Sequence, residues 1–290
     1  MTPEDNTLTR RTAVAAGVAV GVGYALAVSP VTAWAITTPA DGLDTRTVAI
    51  PTGIGGKESM PAYVASPKTK GGKLPVVIVV HEIFGVHEYI QDVCRRFAKA
   101  GYLAVAPSLY FRQGDATKIP DPKQLIAEIV GKVDQATVLA DLDATRAWLK
   151  SDGSADLGRA AITGFCWGGS VVWMYSAHEP SLKAGVAWYG KIKGDVTEKM
   201  PKFPIDIAPT LSVPVLGLYG GKDKGISQED VEAMRKGLAK GRTDSKIHVF
   251  PDAEHGFHAD YRPSYNAKAA TEAWDEALAW LKAHGVKSST

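Results

Sequence analysis

The 290-residue sequence has only two cysteines, Cys94 and Cys166, and no Cys-x-x-Cys pair. Two cysteines cannot form the disulfide framework of a small secreted protein, and without a cluster of cysteines and histidines they do not indicate a zinc site. The sequence also lacks a run of basic residues, and its 33 basic against 31 acidic side chains give a formal net charge of +2. We therefore expect neither a metal ion nor a nucleic-acid partner.

The first 35 residues differ from the rest of the chain. The arginine pair at 10–11 precedes an uncharged apolar run over 12–28, Pro30 interrupts that run, and Ala-Trp-Ala follows at 33–35. This order is typical of a cleaved export signal, and the arginine pair favours the twin-arginine route. An uncleaved membrane anchor is the alternative, although the apolar run is at the short end of the ~17–25 residues that a span needs. We expect a mature protein of residues 36–290, exported to the periplasm or beyond and not inserted in the membrane.

Strand and helix patterns alternate along the mature chain. The run LPVVIVV at 74–80 is continuous and rich in β-branched residues, which is typical of a strand buried on both faces. The alternation predicts an α/β fold in which a mostly parallel central sheet carries helices on both faces. Further strands are predicted at 102–106, 160–163, 183–189, 213–219 and 247–250, and helices at 88–100, 133–149, 168–177, 230–238 and from 264.

Two shorter strand patterns precede this alternation, at 47–50 and 61–66, and a glycine-rich turn at 53–56 joins them. They predict an antiparallel hairpin at the edge of the sheet. No linker divides residues 36–290, so we expect a single domain. The segment 191–212 contains three prolines; it is interpreted as a surface loop, with a flap over a site as the alternative.

Reactive side chains follow the ends of four predicted strands. They are a carboxylate at Glu82, a thiol at Cys166, a carboxylate at Asp223 and an imidazole at His255. Because the carboxyl ends of parallel strands meet at one edge of a sheet, these groups are expected to lie close together. Taken singly, a buried cysteine or a turn aspartate has an ordinary structural explanation. Together, a nucleophile, an acid and a base on one edge predict a catalytic site.

The stretch Gly-Phe-Cys-Trp-Gly-Gly at 164–169 resembles the nucleophile elbow G-x-S-x-G, with sulfur in place of oxygen. Small residues on both sides of Cys166 allow a strand to turn sharply into a helix. The N-terminus of that helix favours negative charge on the sulfur, and the backbone N–H that follows the nucleophile can hold an oxyanion. Cys166 is therefore the predicted nucleophile.

These motifs resemble those of the dienelactone hydrolases (carboxymethylenebutenolidases), a branch of the α/β-hydrolase fold with a cysteine nucleophile. The resemblance spans nearly all of the mature chain. It rests on His-Glu-Ile-Phe-Gly at 81–85, Ala-Pro-Ser-Leu-Tyr-Phe-Arg at 106–112, the elbow at 164–169, Gly-Lys-Asp at 221–223 and His-Gly-Phe at 255–257.

The resemblance implies a catalytic triad of Cys166, Asp223 and His255. It also implies an oxyanion hole formed by the backbone N–H groups of Ile83 and Trp167. The corresponding reaction is the hydrolysis of a small-molecule ester or lactone through a thioester on the cysteine, and it requires no cofactor.

The resemblance assigns roles to further residues. Glu82 matches a glutamate that holds the resting thiol protonated in this family and takes the thiol proton once substrate displaces it. Arg112 matches an arginine that helps to bind a substrate carboxylate, and Tyr110 precedes it in the same motif as a further substrate-binding residue. Ala259 stands where the best-known members carry a second carboxylate-binding arginine, and Arg262 is the nearest candidate to replace it. The substrate therefore need not be dienelactone itself.

The sequence leaves other functions open. A thioesterase or an acyltransferase could use the same triad, and an exported protein that only binds a ligand could use the same cleft. A redox pair of Cys94 and Cys166 is a third possibility. We expect a monomeric ester or lactone hydrolase.

Overall fold

The computed structural model describes residues 37–68 and 71–288. The predicted export signal at 1–35 lies outside these described residues and stays a prediction. Within the two described ranges, none of the helices is long and apolar enough to cross a membrane.

The described residues form one eight-stranded sheet of β1 (Leu43–Thr52), β2 (Glu58–Pro67), β3 (Leu74–Val80), β4 (Leu103–Pro107), β5 (Ala155–Phe165), β6 (Ala184–Trp188), β7 (Val215–Gly220) and β8 (Lys246–Phe250). Their order is β1-β2-β4-β3-β5-β6-β7-β8. All neighbours from β4 to β8 are parallel, whereas β1 and β2 pair antiparallel with each other and β2 pairs antiparallel with β4. The predicted parallel sheet with an antiparallel edge hairpin is confirmed.

Helices join most of the strands: α1 (Glu88–Lys99), α2 (Pro122–Glu128), α3 (Gln135–Asp152), α4 (Trp167–His178), α5 (Pro204–Ile207), α6 (Gln228–Leu238) and α7 (Ala267–Ala283). Polar side chains fix where several of them begin. Asp134 accepts a hydrogen bond from the Thr137 N–H at 2.9 Å before α3, and Asn266 accepts one from the Ala269 N–H at 3.1 Å before α7. Such caps satisfy N–H groups that have no partner inside the helix.

The two central strands β3 and β5 determine which residues lie next to each other at the carboxyl edge of the sheet. All seven residues of β3 are buried, because β3 runs between β4 and β5 and both of its faces are covered. Burial of each such valine or isoleucine side chain contributes roughly 1.5–3 kcal/mol. Val80, the last residue of β3, pairs with Gly164 of β5. The residues that follow these two strands therefore emerge side by side at the carboxyl edge.

A sharp turn joins β5 to α4 through the single residue Cys166. Its φ of 57° and ψ of −116° belong to a conformation that costs a non-glycine residue about 1–3 kcal/mol. The backbone N–H of Cys166 donates to the carbonyl oxygen of Trp188 at 3.0 Å. This hydrogen bond ties the turn to the end of β6.

Two glycines allow α4 to lie directly against the sheet. A Cβ atom on Gly168 would be 2.4 Å from the carbonyl oxygen of Val80 and 2.6 Å from that of His81. A Cβ atom on Gly164 would be 2.4 Å from the carbonyl oxygen of Gly168. No real Cβ atom approaches backbone this closely, so any larger residue would push the helix away from β3 and β5.

The Gly168→Ala substitution should therefore destabilise the protein by about 3 kcal/mol, in the upper range of overpacking effects. Gly158→Ala is the matched control, because its Cβ would meet only the Asp156 side chain, at 3.1 Å, and we expect it to cost less than about 1 kcal/mol. Urea unfolding of the two variants and the parent measures both values. Equal urea midpoints for the two variants would show that the close contact at Gly168 is not needed for the stability of the fold.

Candidate active site

Cys166, Asp223 and His255 meet at the carboxyl edge of the sheet, after β5, β7 and β8. His255 Nδ1 lies 2.7 Å from Asp223 Oδ2, and His255 and Cys166 are close enough that the charge of each shifts the pKa of the other. All three side chains are buried. The structure thus brings the three sequence-predicted triad residues together in one buried cluster.

The Asp223–His255 pair is held in place from both sides. Asp223 Oδ1 accepts a hydrogen bond from the Gly225 N–H at 2.7 Å, and the Tyr189 ring packs edge-on against the His255 ring at 5.2 Å. Burial lowers the pKa of His255, but the negative charges of Asp223 and Cys166 outweigh burial and raise that pKa to about 10. The imidazole is therefore positively charged at neutral pH whenever the sulfur beside it is a thiolate.

The electrostatic surroundings of Cys166 favour its thiolate. Burial raises the pKa of the thiol, but the positive charges of His255 and Arg262 outweigh burial and leave the pKa below its ordinary value. The sulfur also lies at the N-terminus of α4, where partial positive charge stabilises anions. Glu82 acts in the opposite direction, because its negative charge raises the pKa of Cys166.

Glu82 is completely buried and is hydrogen-bonded through both carboxylate oxygens. Its Oε1 accepts from Arg262 Nη2 at 2.8 Å, and its Oε2 accepts from the Tyr261 hydroxyl. His87 Nε2 lies 3.4 Å from the same Oε2. Burial raises the pKa of Glu82, but Arg262 and His87 together lower it to about 2. Glu82 is therefore a carboxylate throughout the neutral range.

The arrangement of Glu82 differs from the one that the resemblance implies for a resting enzyme. The hydrogen bonds of the carboxylate run to Arg262 and Tyr261, and the pKa of Cys166 is lowered. The described arrangement thus favours the thiolate of Cys166, and the role of Glu82 in holding a protonated thiol stays a prediction.

The three predicted substrate-binding residues lie in different surroundings. Arg262 is buried and pairs with Glu82, and its Nη1 has no hydrogen-bond partner among the described residues. Tyr110 is also buried, and its ring lies 4.7 Å from that of Trp167. Arg112 instead donates to Asp141 Oδ2 at 2.6 Å and to Asp141 Oδ1 at 3.0 Å, and it also pairs with Glu58. In the structure Arg112 is thus paired with these two carboxylates. A contact between Arg112 and substrate stays a prediction.

The predicted oxyanion donors lie on the two segments that the Gly168 contact joins. Trp167 is the first residue of α4, so its N–H has no intrahelical partner. Ile83 follows β3 by three residues and is fully buried. The two backbone N–H groups thus come from the first residue of α4 and from the loop that follows β3.

Sequence reasoning gave no role to His81, although it directly follows β3. The Leu109 N–H donates to His81 Nε2 at 3.2 Å, so Nδ1 carries the proton and donates to the carbonyl oxygen of Glu82 at 2.6 Å. Burial lowers the pKa of His81 to about 4, which keeps the ring neutral. The position after a strand was the available signal, but nothing in the sequence indicated these backbone partners.

The two cysteines occupy different environments. Both are free thiols. Cys94 is buried within α1, and burial raises its pKa. The pKa of Cys166, in contrast, is lowered by the positive charges of His255 and Arg262. Burial thus decides the direction of the pKa shift at Cys94, whereas neighbouring positive charge decides it at Cys166.

Comparison with known proteins agrees with the motifs. The model of the dienelactone hydrolase family matches residues 60–285. The "Putative carboxymethylenebutenolidase" of Escherichia coli (strain K12) is 51% identical over 267 residues, which are 92% of this chain and 97% of that protein. A protein of the same name from Methylorubrum extorquens is 50% identical over 282 residues, which are 97% of this chain and 94% of that protein.

A solved structure leads to the same family. The crystal structure of a "Putative Dienelactone Hydrolase" from Klebsiella pneumoniae has 51% sequence identity and a TM-score of 0.80, and it covers 83% of this chain and 98% of its own. The residues matched by the family model, 60–285, include the nucleophile elbow and the strand ends that carry the buried cluster. On its motifs, its fold and these matches, the chain belongs to the dienelactone hydrolase family.

Proposed function

We propose that the protein hydrolyses carboxylic esters or lactones, with Cys166 as the nucleophile. The observation that carries this proposal is the buried cluster in which His255 is hydrogen-bonded to Asp223 and interacts electrostatically with Cys166, which stands at a strained strand-to-helix turn. Strain of this kind is kept where it serves a reaction. The names of the relatives, which describe a butenolide-opening enzyme, support the same reaction class.

In the first half of the reaction, the Cys166 thiolate attacks the carbonyl carbon and a tetrahedral oxyanion forms. The N–H groups of Ile83 and Trp167 would donate to this oxyanion, each contributing about 2.7–4 kcal/mol to the transition state. The His255 imidazolium then gives its proton to the leaving oxygen, the carbon–oxygen bond breaks, and a thioester remains on the sulfur.

In the second half, the acylated sulfur no longer carries a charge. One of the two negative charges that raise the pKa of His255 is then lost, so the imidazole becomes a better match for a general base near neutral pH. Water gives a proton to His255 and attacks the thioester carbon, and the carbon–sulfur bond breaks. The products are the free acid and the original thiolate–imidazolium pair. Asp223 holds the imidazole orientation throughout.

Glu82 and Arg262 would set how much thiolate is present. Glu82 disfavours the negative sulfur and Arg262 favours it, and the two are paired to each other at 2.8 Å. A substrate that drew Arg262 or Glu82 out of this pair would change the charge that Cys166 experiences. Glu82 would then be free to take up the role that the resemblance assigns to it.

We also propose that residues 1–35 direct export by the twin-arginine route, and that residues 36–290 act as a single monomeric domain in the periplasm or outside the cell. The arginine pair and the apolar run support export. One continuous eight-stranded sheet supports a single domain.

Replacing Cys166 with alanine should abolish turnover. We expect kcat for a small aryl ester and for a dienelactone to fall by roughly 10³-fold or more, because the nucleophile is lost while the oxyanion donors remain. Cys94→Ala is the matched control, since this thiol is buried and inert, and it should retain most of the activity. Turnover that survives in Cys166→Ala would contradict the mechanism. If the parent turned over neither substrate, the ligand-binding alternative would gain support.

The ionisation of Cys166 provides an independent check. The thiolate ultraviolet absorbance of the parent minus that of Cys166→Ala should titrate with a midpoint below the ordinary cysteine pKa, because His255 and Arg262 outweigh burial. Glu82→Gln should move this midpoint further down, since a negative charge is removed while Arg262 stays. A midpoint at or above the ordinary value would mean that the thiolate–imidazolium pair does not form in the resting enzyme.

A further inference from the structure

A cavity of about 200 Å³ lies beside the catalytic cluster and has no assigned role. One wall is the face of α4 formed by Trp167, Ser170, Val171 and Met174, which follow one another at helical spacing. This face begins at the residue directly after the nucleophile. Whatever fills the cavity therefore contacts Trp167, the neighbour of Cys166 in the chain.

Another wall belongs to residues 191–204, which are part of the segment 191–212 that the sequence predicts to be a surface loop, with a flap as the alternative. Lys191, Met200, Lys202, Phe203 and Pro204 line the cavity from this side. The segment departs from the end of β6, where the Trp188 carbonyl accepts the Cys166 N–H. The segment thus covers a cavity whose other wall is the nucleophile helix.

Hydrogen bonds from the cavity walls fasten this segment in place. Ser170 Oγ donates to the carbonyl oxygen of Lys191 at 2.6 Å. Gln135 Nε2 donates to the carbonyl oxygen of Lys202 at 2.9 Å. These are the hydroxyl and amide side chains of the lining, and both are used to hold the segment; the indole N–H of Trp167 is the other uncharged polar group among the lining side chains. What remains for an occupant is mainly hydrocarbon from Val133, Val138, Leu139, Val171, Met174, Met200 and Phe203.

The charge of the lining also limits the occupant. The two charged residues among the lining side chains are Lys191 and Lys202, and none of the described carboxylates lines the cavity. The lining therefore offers a cationic group no opposite charge. An apolar cavity of about 150 Å³ can hold a benzene ring, so this one has room for a ring or a short alkyl chain.

We propose that this cavity binds a non-polar group of the ester substrate, so that the enzyme prefers esters with a hydrocarbon chain or ring to small polar lactones. The proposal rests on the proposed ester hydrolysis. Its physical basis is the transfer of hydrocarbon from water to a non-polar surface, which favours binding in proportion to the area buried. The commitment of Arg112 to Asp141 and Glu58 agrees with a substrate that is recognised by its non-polar part.

Two series of esters test this proposal. In the first, 4-nitrophenyl acetate, butyrate and hexanoate vary the acyl group; in the second, alkyl acetates vary the alcohol. We expect kcat/KM of the parent to rise about tenfold from the shortest to the longest member of one series. This increase is a modest part of the gain in transition-state binding that burial of the added methylene groups can give. Leu139→Trp, which fills the cavity, should lower the ratio of long-chain to short-chain kcat/KM about tenfold.

The matched control is Val196→Trp. Val196 lies in the same covering segment but is 66% exposed, so its replacement should leave both the ratio and the activity on acetate unchanged. The proposal is overturned if neither series shows a length preference in the parent, or if Leu139→Trp keeps the parent ratio. If acetate is turned over in a Cys166-dependent way but kcat/KM does not change along either series, only the proposal of a non-polar subsite is overturned. If no ester is turned over, the proposed function itself is overturned.

A second inference concerns His81 and rests on different contacts. Its ring is fixed by the Leu109 N–H on Nε2 and by the Glu82 carbonyl oxygen on Nδ1. The rings of Trp167 and Tyr110 pack against it, with centroids at 5.4 Å and 4.6 Å. A side chain held by four neighbours in this way can act as a rigid support.

His81 acts on the peptide group between Glu82 and Ile83, which contains one of the two proposed oxyanion donors. The carbonyl of Glu82 and the N–H of Ile83 belong to one planar trans peptide and point in opposite directions. A hydrogen bond that fixes the carbonyl therefore also fixes the N–H. We infer that His81 is a positioning residue that aims the Ile83 N–H at the developing oxyanion.

The pair His81→Phe and His81→Asn tests this role. Phenylalanine keeps a ring but loses the donor, and we expect kcat to fall about 10- to 100-fold, less than for removal of a donor, with KM changed less than about threefold. Asparagine can place an amide N–H near the position of Nδ1 and should restore most of kcat. The thiolate titration of Cys166 should stay unchanged in both variants. A KM effect without a kcat effect, or an asparagine variant no better than phenylalanine, would overturn the inference.

Discussion

The backbone contact at Gly168 is the constraint on which the catalytic edge depends. It places the start of α4 against the carbonyl oxygens of Val80 and His81, and so joins the end of β3 to the end of β5. The proposed oxyanion donors, Ile83 and Trp167, stand one on each side of this contact. Their separation is therefore set by van der Waals contact between main-chain atoms, which is much stiffer than any arrangement of side chains.

Four buried charged groups surround the sulfur, and the balance among them decides its state. Arg262 and Glu82 form an ion pair with fully buried side chains, and Asp223 and His255 form a second one. A buried pair is costly to desolvate and even more costly to break. Within each pair, each residue keeps the other charged in a non-polar environment. The thiolate of Cys166 interacts with both pairs. The reactivity of the cysteine is thus a property of the whole cluster.

Much of this was predictable from the sequence, and the exceptions have physical causes. The order of strands and the positions of Cys166, Asp223 and His255 follow from hydrophobic runs and from what comes after them. β5 was predicted at 160–163 but begins at Ala155. The first half of this strand contains polar residues, and its pairing with β3 shifts register there, so the hydrophobic run marks only the second half. The ion pair of Arg112 with Asp141 joins residues 29 apart, and no local pattern indicates such a contact.

The segment that covers the cavity is held through its own backbone. The hydrogen bonds from Ser170 and Gln135 end on the main-chain oxygens of Lys191 and Lys202, which any amino acid would supply. The side chains that this segment turns toward the cavity can therefore be exchanged without loosening it. Selection could reshape the cavity for new compounds while the reaction machinery stays intact, which would make this face of the molecule a natural place for substrate range to diverge among relatives.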